Sequence, residues 1–276
     1  MGYSRGMQRL ACFLLLIIFA SLQSPAQQVQ PPSRAELDAI STRGEMLWES
    51  DEAAWHSTDA VQALHPPEAS IRGYFPRKRE NGWEVAYGRM NEAGDKYLVA
   101  YLATQGSTPD QYKVDAFTPP KEDTGFFFSA AKARSTAQKD FGGASRPYNI
   151  SVLPADGGKF YIYVYPAQTV TGVYPIGGDV RYLISSDGTT IIEKHQMHKA
   201  ILDMDLNKAS KKAGKGGHVT SGYHTHMLSD VPEDTDVFHV LTQHSRIPEL
   251  IGTEHFIYEV EPDGAIKIVD KHDWKK

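Results

Sequence analysis

The chain has 276 residues, a formal net charge of −5 and one cysteine. That length can bury a core without covalent staples, and a mildly acidic balance gives no electrostatic footprint for nucleic acid. With Cys12 the only thiol, an intrachain disulfide and a cysteine-rich zinc site are both excluded, so any metal must be held by His, Asp or Glu.

Residues 1–26 have the three-part layout of a secretory signal peptide. Arg5 and Arg9 come first with no acid beside them, residues 10–20 are uninterrupted apolar, and Ser24-Pro25-Ala26 resembles a small-residue cleavage site. The apolar run is too short to span a bilayer. Cys12 lies near its start rather than after it, which argues against a lipoprotein. The expectation is export to the periplasm or the extracellular space, loss of this segment with its thiol, and no membrane span in what remains.

Next in order, Ser33-Arg34-Ala35-Glu36 reads as a capping box that opens a helix. Leu37, Ile40 and Leu47 recur at helical spacing, Gly44 interrupts them, and Ser50 could cap a second piece carrying Ala54, Trp55, Val61 and Leu64. His65-Pro66-Pro67 stops it. This predicts one bent helix or two consecutive ones, with His56 as a structural neighbour of the apolar stripe. Period two follows: Trp83, Val85 and Tyr87 alternate with Glu84, Ala86 and Gly88, and residues 97–102 return as the second arm of a hairpin. Pro119-Pro120 leads towards a helix with Phe127, Ala130, Ala131, Ala137 and Phe141 on one side, ended by Gly142-Gly143.

Ile150 and Val152 start a further strand, residues 155–158 turn it, and Tyr161, Tyr163 and Tyr165 alternate along the next one. A strand with one face on the core and one on water accounts for these tyrosines. Residues 180–185 and 190–193 form a third hairpin, and residues 208–217, rich in Lys, Ala and Gly, read as a surface loop. There is no βαβ alternation and no glycine-rich phosphate loop. The predicted class is α+β, a mainly antiparallel sheet with flanking helices. Residues 27–147 form an N-terminal helical and hairpin region and residues 148–276 a C-terminal α+β region. No long linker separates them, so the two can make one compact domain.

Eight of the eleven histidines fall between His195 and His255. Within this third, His224 and His226 lie two apart at the end of an extended stretch, so both imidazoles face one side. Ser229 or Asp230 could cap a helix opened by Val231-Pro232, which puts Asp236 near the helix start and beside the histidines. Two imidazoles and a carboxylate suit zinc and leave one of its positions open. His198, from His195-Gln196-Met197-His198, offers an alternative three-histidine site, and His239 lies one helical turn beyond Asp236.

His224-x-His226, a polar loop, Asp236 on the following helix and a terminal hairpin over residues 256–269 together resemble the JAMM (JAB/MPN-type) zinc metallopeptidases. The resemblance covers roughly residues 180–269. It implies His224, His226 and Asp236 as zinc ligands, an upstream glutamate as general base, for which Glu193 is the nearest candidate, and a peptide or protein substrate cleaved at a peptide or isopeptide bond. The chain departs from the family at Met227, where proline is usual, and at Glu233, where a catalytic serine is usual; Ser229 is a nearby substitute. The distance from His224 to Asp236 is one residue shorter than usual. The alternative is a non-catalytic exported binding or structural module with a degenerate site.

Overall fold

The computed structural model describes residues 29–214, 219–243 and 246–269. The expected signal segment, His218 and His244 lie outside the described residues. Residues from Pro31 onward form one compact unit.

Ser33 caps the first helix, accepting a hydrogen bond from the Glu36 N–H at 3.2 Å. That helix, α1, runs unbroken over Arg34–Gln62, where an interruption at Gly44 was expected. Ser50 is buried inside it rather than capping a second piece. Four antiparallel strands follow in order, β1 (Gly73–Arg79), β2 (Gly82–Met90), β3 (Tyr97–Gln105) and β4 (Tyr112–Asp123). The lead-in expected at Pro119-Pro120 is part of β4. This strand lies at the sheet's edge, where a residue without an N–H costs no ladder bond. Helix α2 (Phe126–Phe141) ends at Gly142, which takes φ +77°, a conformation that favours glycine.

The second sheet joins β5 (Tyr148–Pro154), β6 (Phe160–Pro166), β8 (Val180–Ile184) and β9 (Ile191–Gln196), all antiparallel, while β7 (Val173–Gly177) pairs with β10 (Ile201–Asp205) apart from it. After β10 comes α3 (Leu206–Ala213), capped by the Asp205 carboxylate accepting from Lys208 N–H at 2.9 Å. Most of the loop expected over residues 208–217 is therefore helical where it is described. The last sheet has the order β11 (Gly222–Thr225), β12 (Glu249–Gly252), β13 (Ile257–Val260), β14 (Ile266–Ile268), with β11 and β12 parallel and the rest antiparallel. Helix α4 (Asp234–Thr242) connects β11 to β12. The α+β class holds, with one parallel pair inside it.

Helix α1 organises the packing. Twenty-nine residues make a rod of roughly 43 Å, long enough to touch three cores. Leu37 and Ile40 pack with Val237, Val240, Ile251, Tyr258 and Val260. Leu47 packs with Leu153, Tyr163, Tyr165 and Met197. Ala53 and Val61 pack with Trp83, Val85, Tyr87 and Ala103. On the other side, Phe127, Ala130, Ala133 and Ala137 of α2 fill the space between the first two sheets. Strand β6 is consequently buried on both faces: Phe160, Ile162 and Val164 face the α2 core, Tyr163 and Tyr165 the α1 core. The tyrosine alternation expected to mark a wet face marks a second core instead.

Candidate metal centre

Helix α4 starts three residues later than Val231-Pro232 suggested. Glu233 is its N-cap, in a reciprocal capping box with Asp236. The Glu233 N–H donates to Asp236 Oδ2 at 2.6 Å, which fixes the rotamer of Asp236 and leaves Oδ1 free to point elsewhere. The helix start is itself clamped through Asp234. This fully buried carboxylate accepts from Arg43 Nε at 2.9 and 3.0 Å, from the Tyr163 hydroxyl at 2.8 Å, and from Arg181. Arg43 comes from α1, Tyr163 from β6 and Arg181 from β8, so three elements hold one end of α4. Gly44 allows the approach. A Cβ there would sit 2.5 Å from Val237 Cβ and 2.6 Å from the Asp234 carbonyl oxygen.

Against that helix start lie three imidazoles. His224 is on β11 and His226 just past it, held extended by the His226 N–H donating to the Gly252 carbonyl at 2.8 Å. Their side chains share one face, as the two-residue spacing requires. His198 follows β9 and joins them. Its Nε2 is 2.9 Å from His226 Nε2, and His224 Nε2 is 3.1 Å from the same atom. Asp236 Oδ1 is 3.2 Å from Nε2 of both His198 and His224, and Oδ2 is 3.2 Å from Nε2 of His226. The two arrangements that the spacing offered as alternatives are one cluster of four buried residues, with ligand atoms all within 4.8 Å of one another.

The outer nitrogens decide what this cluster can do. His198 Nδ1–H donates to Asp179 Oδ1 at 2.8 Å, His224 Nδ1–H to Glu249 Oε1 at 2.9 Å, and His226 Nδ1–H to the Val231 carbonyl at 3.0 Å. Each acceptor places the proton of a neutral imidazole on Nδ1 and its lone pair on Nε2. In that neutral form three lone pairs and a carboxylate converge on one point. Asp236 Oδ1 is buried and has no hydrogen-bond partner. Ligands at about 2.0–2.1 Å from a tetrahedral zinc ion lie roughly 3.3 Å apart, close to the spacings here.

The local field also calls for positive charge. Burial alone would lower the imidazole pKa of His198, but Asp236 and Asp179 reverse this and push it to about 11. The same contest, with Asp236 and Glu249 opposing burial, raises His224 to about 9. Burial works to raise Asp236, yet the surrounding histidines, His226 and His198 foremost, pull it well below the usual carboxylate range. His239, one turn on, behaves in the opposite way. It is buried, burial and the nearby histidines drive its pKa down to about 3, and its Nε2 has no partner.

The expected catalytic residues fall in different places. Ser229 donates to the Val231 carbonyl at 2.7 Å and stands 3.2 Å from His226 Nδ1, on the outer side of that imidazole. Glu193 is half exposed on β9 and faces Arg181 at 3.7 Å. Besides Asp236, the carboxylates that touch the three clustered histidines are Asp179 and Glu249. Neither had a local signal in the sequence except the glycines around them. Gly177-Gly178 turns the chain with φ +82° and +68° just before Asp179. Gly222 leaves room for Glu249, whose Oε2 would lie 1.8 Å from a Cβ at that position.

No family model, no curated protein and no solved structure matches the chain. The argument for function therefore rests on the chemistry of these four buried residues.

Proposed function

We propose that this protein binds a zinc ion through Nε2 of His198, His224 and His226 and a carboxylate oxygen of Asp236. The carrying observation is the convergence of three imidazole Nε2 atoms on the buried Asp236 carboxylate, His198 and His224 on Oδ1 and His226 on Oδ2, with Oδ1 lacking a hydrogen-bond partner. Imidazoles with a single carboxylate suit zinc, whereas magnesium and calcium take oxygen ligands. Four protein ligands complete a tetrahedral ion, the pattern of sites that hold metal for structure. The best-supported role is thus an exported, zinc-stabilised protein. A His/Asp site, having no thiol to oxidise, suits the export proposed from residues 1–26.

A second reading is zinc-dependent hydrolysis of a peptide or isopeptide bond, the activity implied by the JAMM resemblance. It is favoured by one observation: His198 and His224 line a surface groove with Ile201, Leu202, Tyr223 and Met227. Zinc there would supply Lewis-acid polarisation of a carbonyl. His198 is the ligand outside the resemblance, and its Asp179 partner holds it in place.

Metal analysis of the purified mature protein tests the first reading, with His224→Ala/His226→Ala and Glu249→Gln alongside. Stoichiometric zinc in the wild type, its loss in the double variant, and affinity reduced about 10- to 100-fold in Glu249→Gln are expected. Equal zinc in wild type and double variant ends the proposal. Chelator-sensitive cleavage of peptide or isopeptide substrates by the wild type or His198→Ala favours the second reading, and its absence in both favours the first.

A further inference from the structure

A cavity of about 230 Å³ is lined by Asp179 and Thr235 together with Asp51, Tyr165, Tyr174, Phe238 and His239. It is small beside pockets for drug-sized ligands. Tyr165 and Phe238 meet edge to face at 5.1 Å, and Tyr174 meets His239 edge to face at 5.8 Å. Two carboxylates line the cavity and no lysine or arginine does. Asp179 is committed, with Oδ1 on His198 and Oδ2 on the Thr235 hydroxyl.

Asp51 is not. Its one hydrogen bond is a long one of 3.3 Å from the Tyr165 hydroxyl, and among the described residues no cation stands within ion-pair distance of it. A half-buried carboxylate normally carries a charged partner. Its surroundings leave it strained as an anion: burial raises its pKa to about 6, despite the opposing Tyr165 hydrogen bond. Independently, His239, 7% exposed, lines the same cavity as a neutral imidazole with Nε2 unpartnered. A carboxylate lacking a cation, a buried imidazole nitrogen lacking a partner, and aromatic walls share one deficit. Each is met by an N–H-bearing cation.

We propose that this cavity binds a small primary ammonium compound, its charged head on Asp51 and its carbon chain against Tyr165, Tyr174 and Phe238. The neutral His239 imidazole accepts from a second N–H or packs on the alkyl part without repelling the charge. The site stands whether or not the neighbouring cluster holds zinc.

The test is calorimetric titration of the mature protein with n-butylammonium, n-butanol and butyrate. Saturable binding of n-butylammonium is expected, with no measurable heat from the alcohol or the carboxylate. Asp51→Asn, which keeps the side-chain shape, should weaken binding about tenfold or more. No binding to the wild type, equal binding of n-butanol, or unchanged binding by Asp51→Asn would each overturn the proposal.

Discussion

Replacing Gly44 by alanine sets two effects of known size against each other. In the interior of a helix, alanine is favoured over glycine by about 1 kcal/mol, so on propensity alone Gly44→Ala should stabilise α1. Against this, the new Cβ would lie 2.5 Å from Val237 Cβ, 2.6 Å from the Asp234 carbonyl oxygen and 2.8 Å from Val237 Cγ1. Two of these neighbours are backbone or Cβ atoms that cannot rotate away, so α1 and α4 must separate. Overpacking of this kind costs about 1–3 kcal/mol, and the Arg43–Asp234 contact one residue away resists the shift. The expected net change is a loss of up to about 2 kcal/mol of stability, in place of the gain of about 1 kcal/mol that propensity alone would give, read as the denaturant midpoint of chelator-treated protein. The displaced segment carries Asp236 at its first turn, so zinc affinity measured by dye competition should fall as well, by about tenfold. A variant as stable as the wild type, with the same zinc affinity, would refute the claim that this close approach sets the site.

Two further predictions concern buried carboxylates. Asp234→Ala leaves Arg43 without its buried counter-ion and Arg181 with only the half-exposed Glu193 at 3.7 Å, and should cost about 3–5 kcal/mol of folding stability, measured by urea unfolding; a loss under about 1 kcal/mol would show that the clamp is dispensable. Asp51 should make stability depend on pH in the direction opposite to most acids. Its pKa is raised in the fold from 3.8 to about 6, so the unfolded chain releases this proton first. The stabilisation is full below the unfolded value and is lost as pH rises through about 6. Asp51→Asn should remove this component and gain about 2 kcal/mol at neutral pH, allowing for partial exposure; a thermal-unfolding pH profile that overlays the wild type would contradict it.

What could be read from the sequence was what the chain encodes locally. The helices starting at Ser33 and ending at Gly142, the hairpins around residues 91–95 and 186–189, and the strand–helix order around His224 all rest on periodicity, caps and turns within a few residues. His224 and His226 share a face because they are two apart on a strand. Asp236 is near them because α4 starts nearby. The remainder of the site comes from afar: His198 from the end of β9, Asp179 from the turn before β8, Glu249 from β12. No short-range pattern couples these to His224. The same limit explains β6, whose alternation is real but whose second face is covered by α1, more than a hundred residues earlier. It also explains Gly44, which read as a helix break because the sequence does not reveal the helix packed against it.

The position of α1 has a kinetic consequence. Arg34, at its start, donates to the Ile266 carbonyl at 2.7 Å across a separation of 232 residues, and its first turns are covered only by α4 and the final sheet. An element early in the described chain is therefore fully sheathed only by elements near its far end. Until α4 and the closing strands arrive, Leu37 and Ile40 lack the partners of their native cluster, and contacts of such high sequence separation form slowly. Completion of this core requires the C-terminal strands, and a chain lacking them presents an unsheathed apolar helix face open to contact with other chains.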